Sequence, residues 1–296
     1  MGARIQHAQG VGAPEPIPGV VGHARDDPLA GDRVRDEDDP PRVPGHPDAA
    51  VSDLANLDLD LAPRHLAHPP RIGAALRLVL ASTSPARLAT LRAVGIEPVP
   101  VAPGVDEEAA VSAEERRRGR PLEAAELVMH LARLKSEAVA GVDGAPGRIA
   151  GIPDAPRDAL VLGGDSAFAF DGTVYGKPHL PDVAARRWRA QRGRSGVLHS
   201  GHWLVELRDG IPVAAAGEHV AAEVRFAADL DDDEIDAYVA TGEPLEVAGA
   251  FTIDSKGAGF IESIVGDPHT VVGVSIPSLR RLVRRLGHAW PALWNR

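Results

Sequence analysis

From residue 77 onward, apolar and polar positions alternate in the manner of an α/β chain. A short apolar run over 77–81 precedes a helical repeat over 85–94 in which Leu88, Leu91 and Val94 share one face. Ser84 supplies an N-cap, Pro85 sits where its missing N–H costs nothing, and Gly95 closes the helix. A second strand is predicted over 96–101, then a polar, arginine-rich loop, then a long helix from Pro121 to about Ala140. Its apolar stripe consists of Ala124, Leu127, Val128, Leu131, Leu134 and Ala138. At about 100° per residue, Lys135 falls inside that stripe, between Leu131 and Val128. A lysine there either snorkels from the edge of a core helix or aims a cation into a cleft.

Residues 141–157, rich in Gly, Pro and Asp, read as a surface loop, and 159–163 as a buried strand. Two strands over 168–170 and 173–175 flank Asp171-Gly172, a strong hairpin signal. A helix is predicted from Pro181, carrying Trp188, and two strands meet around Arg208-Asp209-Gly210. An alternating strand over 220–226 precedes a helix with acidic first-turn residues Asp231 to Glu234, which stops at Gly242. Two short strands ending near Ile264 are expected next. The last helix opens at Pro277, with Leu279, Leu282, Val283 and Leu286 inside and Arg280, Arg281, Arg284 and Arg285 on a solvated face.

Residues 1–75 break this pattern. They hold eleven of the 26 prolines and no aromatic residue, and their seven arginines face twelve acidic residues. Such a segment cannot bury enough apolar surface to offset its ordering entropy, so it reads as a disordered extension ahead of a folded domain over 76–296. The absence of cysteine excludes a disulfide framework and a thiolate metal site. No apolar run reaches the ~18 residues of a membrane helix and no signal-peptide core follows Met1, which together predict a cytoplasmic protein without a membrane partner. A formal charge of −10 argues against a nucleic-acid partner and fits a local basic pocket for a small polyanion.

The first βα unit is where such a pocket would form. The run Ser82-Thr83-Ser84 sits between a strand end and a helix N-terminus, with Arg87 one turn in. Free backbone N–H groups and the helix dipole favour an anion there. Asp165, in Gly163-Gly164-Asp165-Ser166, is either a turn aspartate accepting backbone N–H bonds or a carboxylate at the end of a buried strand, where open sheets bind ligands. His199 and His202 could suggest a histidine base, yet their spacing on a strand sends them to opposite faces.

Ser82-x-Ser84-Pro85-x-Arg87 resembles the opening of the Maf family of nucleoside triphosphate pyrophosphatases. Gly164-Asp165-Ser166, Asp171-Gly172, Gly176-Lys177-Pro178, Tyr238-Val239, Gly242-Glu243-Pro244, Ala248-Gly249-Ala250-Phe251 and Val271-Val272-Gly273 follow in that family's order, so the resemblance spans about Arg77 to Gly287. It implies a mixed twisted sheet flanked by helices, with two lobes around a central cleft. It also implies hydrolysis of a nucleoside triphosphate to monophosphate and pyrophosphate, clearing non-standard nucleotides. Asp165 would be the catalytic carboxylate. Ser82, Ser84, Arg87, Lys135, Lys177, Ser166 and Asp254 would contact substrate. Glu107 and Asp165 would hold a divalent cation, magnesium or manganese. A homodimer stays open. The resemblance admits one reading of another kind, a nucleotide-binding regulator of cell division without turnover, and a weaker enzymatic one, an inosine-triphosphate type pyrophosphatase. Ala86, Ser166 and Asp254 match neither the pyrimidine-preferring set of Arg, Thr and Gln nor the 7-methylguanine-type set of Trp, Gln and Glu.

Overall fold

A computed structural model describes residues 76–142 and 147–296, so the expectation of disorder over 1–75 lies outside the described residues. Seven strands form one mixed sheet in the order β2-β1-β3-β5-β6-β7, with β4 paired to β3 beyond the end of β1. Strands β1 (Arg77–Ala81), β2 (Val99–Pro100) and β3 (Ala159–Phe170) run parallel. β4 (Thr173–Tyr175), β5 (Ser195–Arg208), β6 (Ile211–Phe226) and β7 (Ile261–Val265) complete the sheet as antiparallel neighbours. The turns at Asp171-Gly172 and Asp209-Gly210 take positive φ at both central residues (52° and 74°, 52° and 79°). That geometry suits the right-handed twist of the flanking strands, and both hairpins fall where Asp-Gly predicts them.

Helix α1 (Pro85–Ala93) is capped by Ser84, and α3 (Ala124–Ala140) by a Glu123–Glu126 capping box. α3 lies on one sheet face against Val79, Val161, Trp203 and Val205. α1 and α7 (Ile276–Arg285) cover the other, closing on Leu78, Leu80, Leu160 and Leu204. A second lobe forms around the far ends of β3, β5 and β6. There α4 (Pro181–Gln191) and α5 (Asp232–Ala240) pack with Phe168, Phe226, Tyr238 and Phe251.

Several expectations are corrected. The arginine-rich loop after β2 contains a helix, α2 (Glu107–Arg118), none of whose residues is buried. It has no apolar stripe for periodicity to detect. Its charges fit the dipole instead: Asp106 caps it, Glu107 and Glu108 open it, Arg116 to Arg118 end it, and Gly119 closes it at φ 70°. β3 does not stop before Asp165 but runs on to Phe170, 12 residues in all, because β5 pairs with it along its length through Gly164 and Asp165. The strand predicted over 220–226 is the end of the 16-residue β6. Of the two short strands expected before Ile264, only β7 forms; 3₁₀ turns occupy residues 243–246, 248–250 and 256–260. β2 shrinks to two residues, and a short helix α6 (Pro268–Val272) precedes α7.

Trp188 is the hub of the second lobe. It is fully buried, makes edge contacts with Phe226 and Tyr238 at 5.3 Å centroid separation, and donates its Nε1–H to the Ala250 carbonyl at 2.7 Å. Replacing it with Ala empties that space and strands the carbonyl. Trp188→Ala is expected to cost about 3–5 kcal/mol, read as a lower denaturant midpoint; a loss under about 1 kcal/mol contradicts this packing.

Candidate active site

β1 pairs with β3 only over 159–163, and β4 joins the same edge only from Phe168. Residues 164–167 of β3 therefore have β5 on one side and, among the described residues, no strand on the other. Asp165 and Ser166 occupy this open stretch, at the junction of the two lobes.

The approach of α3 is set by glycines on neighbouring strands. A Cβ on Gly163 would lie 2.0 Å from the Ala132 carbonyl oxygen, and one on Gly201 would lie 2.4 Å from that of Val128. With neither present, the helix backbone rests on the sheet, and Ser136 Oγ donates to the Val161 carbonyl at 2.8 Å. One helical position before Ser136, Lys135 is buried against the sheet. Its Nζ lies 2.6 Å from Asp165 Oδ1 and 2.9 Å from Glu107 Oε1. The geometry joins the two alternatives for Lys135: it belongs to the core face and its ammonium ends in the open stretch. Asp165 is only 9% exposed, and this burial pushes its pKa up; Lys135 and Arg87 pull it down without cancelling the rise.

Arg87 closes the other side. Its guanidinium donates to the Gly273 carbonyl at 3.0 Å, and to Ser82 Oγ and Ser166 Oγ at 3.2 Å each. Burial lowers its pKa, opposed by the charges of Asp165 and Glu107. Gly273 takes φ 106°, and a Cβ there would sit 3.0 Å from Arg87 Nε, so the guanidinium fits against a glycine. Ser166 Oγ lies 2.9 Å from the fully buried Ser200 Oγ, which donates to the Thr270 carbonyl at 2.8 Å. Because that carbonyl takes the Ser200 proton, Ser166 donates to Ser200 and accepts from Arg87. Ser200, Thr270 and Gly273 were given no role by the sequence; a buried hydroxyl and two backbone carbonyls carry no chemical signal until the chain brings them to an arginine.

Ser84 accepts from the Arg87 backbone N–H at 3.4 Å and donates its own N–H to Ser82 Oγ at 3.2 Å. Lys177 stands apart. It is 55% exposed, and the carboxylate near it is Glu246 at 3.8 Å, on the second lobe. Asp254 is exposed on the loop after Phe251. The two strand histidines separate as their spacing requires. His199 Nδ1 lies 2.9 Å from His219 Nε2. His202 Nε2 accepts the Ser275 N–H at 3.0 Å at the entry to α7, and burial holds His202 neutral by pushing its pKa down to about 3.

The arrangement sets two cations and two carboxylates in an opening beside a helix N-terminus. Residues 77–286, from the start of β1 to just past α7, match the Maf-like protein family. This chain belongs to that family. A relative from Leifsonia xyli, named nucleoside triphosphate pyrophosphatase, is 60% identical over 221 residues, covering 75% of this chain and 98% of the relative. Relatives of the same name from Salinispora tropica and Nocardia farcinica are 49% and 45% identical, covering 75% and 74% of this chain and 88% and 96% of theirs. In this Maf-like domain Ser82, Arg87, Ser166 and Gly273 meet at the open stretch of β3, while Tyr238, Ala250 and Phe251 belong to the core of the second lobe.

Removing one partner of a buried pair leaves the other charge uncompensated. Lys135→Met is expected to lower stability by on the order of 3 kcal/mol, and Asp165→Asn in the same chain to recover part of it. A denaturation cycle in which the two single changes simply add would show that the pair is not coupled.

Proposed function

We infer that this chain is a nucleoside triphosphate pyrophosphatase, a hydrolase that cleaves the bond between the α- and β-phosphates. The observation that carries the reading is the buried Asp165 held between Lys135 and Arg87 on an open strand edge of a Maf-like fold. The curated relatives named above favour turnover over a purely regulatory role.

The reaction asks for a base, positive charge and exclusion of bulk water. Asp165 is suited to accept the proton of a water that attacks the α-phosphorus, and its upward shift makes it a stronger base than a free aspartate. The O–P bond to water forms, the bond to the bridging oxygen breaks, and pyrophosphate leaves with the electron pair. Arg87 has the planar fork that matches phosphate oxygens, while Lys135 supplies a point charge. Ser82 and Ser84 line the same turn as hydroxyl donors. Lys177 would reach the phosphates from the second lobe on leaving Glu246.

A divalent cation, magnesium or manganese, is part of the proposal. Glu107 and Asp165 meet on one ammonium and offer the hard oxygen donors such ions prefer, and substrate phosphates would complete the shell. The ion would add charge neutralisation. Among the described residues no helix is long and apolar enough to cross a membrane, in keeping with a free nucleotide as substrate. Removal of non-standard nucleotides is the proposed purpose. Asp254 is the proposed reader of the base: a carboxylate only accepts hydrogen bonds, which suits adjacent N–H donors of a guanine-like edge and opposes the two carbonyls of uracil or thymine.

Asp165→Asn keeps the shape and removes the base. Pyrophosphate release is expected to fall about 10²–10⁴-fold with the fold intact, and near-normal kcat in a folded variant would show that Asp165 is only structural. Asp254→Gln is expected to move kcat/KM toward UTP and dTTP; an unchanged ratio removes Asp254 from base recognition.

A further inference from the structure

We propose that Glu243 is the positioning residue that folds the loop over residues 252–257, and through it fixes which base the enzyme accepts. The proposal rests on the nucleotide reading above, and on a carboxylate outside the opening that no step of the reaction uses.

Glu243 follows the αL residue Gly242 at the end of α5, in the second lobe. Five donors converge on it. Oε1 accepts from Tyr238 OH at 3.0 Å, Thr252 Oγ1 at 2.5 Å and the Gly257 N–H at 2.9 Å. Oε2 accepts from Ser255 Oγ at 2.8 Å and the Lys256 N–H at 3.2 Å. Four of these donors belong to the loop, and Thr252 and Ser255 bracket the exposed Asp254 on either side. Burial works against the charge of Glu243, but the hydrogen bonds from Thr252, Gly257, Ser255 and Tyr238 prevail and hold its pKa down to about 2.

The loop is tied to the core at both ends. Phe251 packs its ring edge-on against Phe168 at 5.1 Å, two residues along β3 from Ser166. Tyr238 belongs to the Trp188 aromatic cluster and sends its hydroxyl out to the carboxylate. Gly257 completes the fit, since a Cβ there would lie 2.6 Å from Tyr238 Oη and 2.7 Å from the Thr252 carbonyl oxygen. Glu243 thus converts the rigidity of an aromatic core into a fixed position for Asp254.

A glutamine cannot replace it. Whichever way the amide is turned, its NH₂ faces the backbone N–H of either Gly257 or Lys256, and backbone donors cannot rotate away as hydroxyls can. One face of the clamp must open, and Asp254 then samples several positions. Binding on the base side weakens while the chemistry at Asp165 keeps its geometry.

The test uses the full chain with Glu243→Gln, assayed for pyrophosphate release from GTP and UTP. The expected result is kcat within about threefold of wild type for the favoured nucleotide, a raised KM, and a GTP-to-UTP ratio of kcat/KM moved at least tenfold toward unity. Limited trypsin digestion supplies a reading that needs no activity: cleavage after Lys256 should accelerate about tenfold, with other sites unchanged. If Glu243→Gln fails to fold, Thr252→Val with Ser255→Ala removes two donors and should give the same direction at smaller size. A folded variant with an unchanged base ratio and unchanged cleavage at Lys256 overturns the proposal. A wild type that releases no pyrophosphate from any nucleoside triphosphate would instead fail the nucleotide reading itself, whatever the trypsin result.

Discussion

The ion pair between Lys135 and Asp165 depends on how closely α3 can lie on the sheet, and that distance is decided where two glycines replace side chains. Gly163 on β3 and Gly201 on β5 leave no Cβ between the strands and the helix carbonyls of Ala132 and Val128. A helix lifted by one methyl layer would carry the ammonium away from a 2.6 Å contact. The same approach buries the pair, and burial makes Asp165 a stronger base than an exposed aspartate would be. Packing and chemistry at this point are one constraint.

Charge balance follows from it. Two carboxylates and two cations occupy a strand edge left bare between β1 and β4, with neutral groups orienting Arg87 and the two carboxylates meeting Lys135. Arg87 is held by a carbonyl and two hydroxyls, the second of which leans on Ser200 and Thr270. Lys135 is held by its helix. Groups fixed in this way need little reorganisation when charge develops near them, which is the condition for electrostatic stabilisation of a reacting phosphate.

Much of this was legible in residue order. The capped βα turn at Ser84-Pro85, both Asp-Gly hairpins and the placement of Lys135 inside an apolar stripe each rest on a local rule that tertiary structure respects. The failures have physical causes. α2, which delivers Glu107, is held by caps and charge and not by burial, so hydrophobic period is blind to it. Gly-Gly-Asp-Ser has the composition of a turn, yet pairing with β5 keeps it extended. The region over 243–260 alternates enough to suggest strands, but it folds into 3₁₀ turns, and over 252–257 hydroxyl and backbone donors converge on the Glu243 carboxylate, a contact that periodicity does not register. Neither did spacing reveal that Lys177 pairs with Glu246 on the second lobe, apart from the other cations.

The most direct measurement is a crystal structure with a nucleoside triphosphate analogue whose α–β bridging oxygen is replaced by methylene. The account predicts the triphosphate along residues 164–167 of β3, with its α-phosphate beside Asp165 and phosphate oxygens on Arg87 and Lys135. Density for the analogue elsewhere, with the Lys135–Asp165 pair untouched, would contradict it.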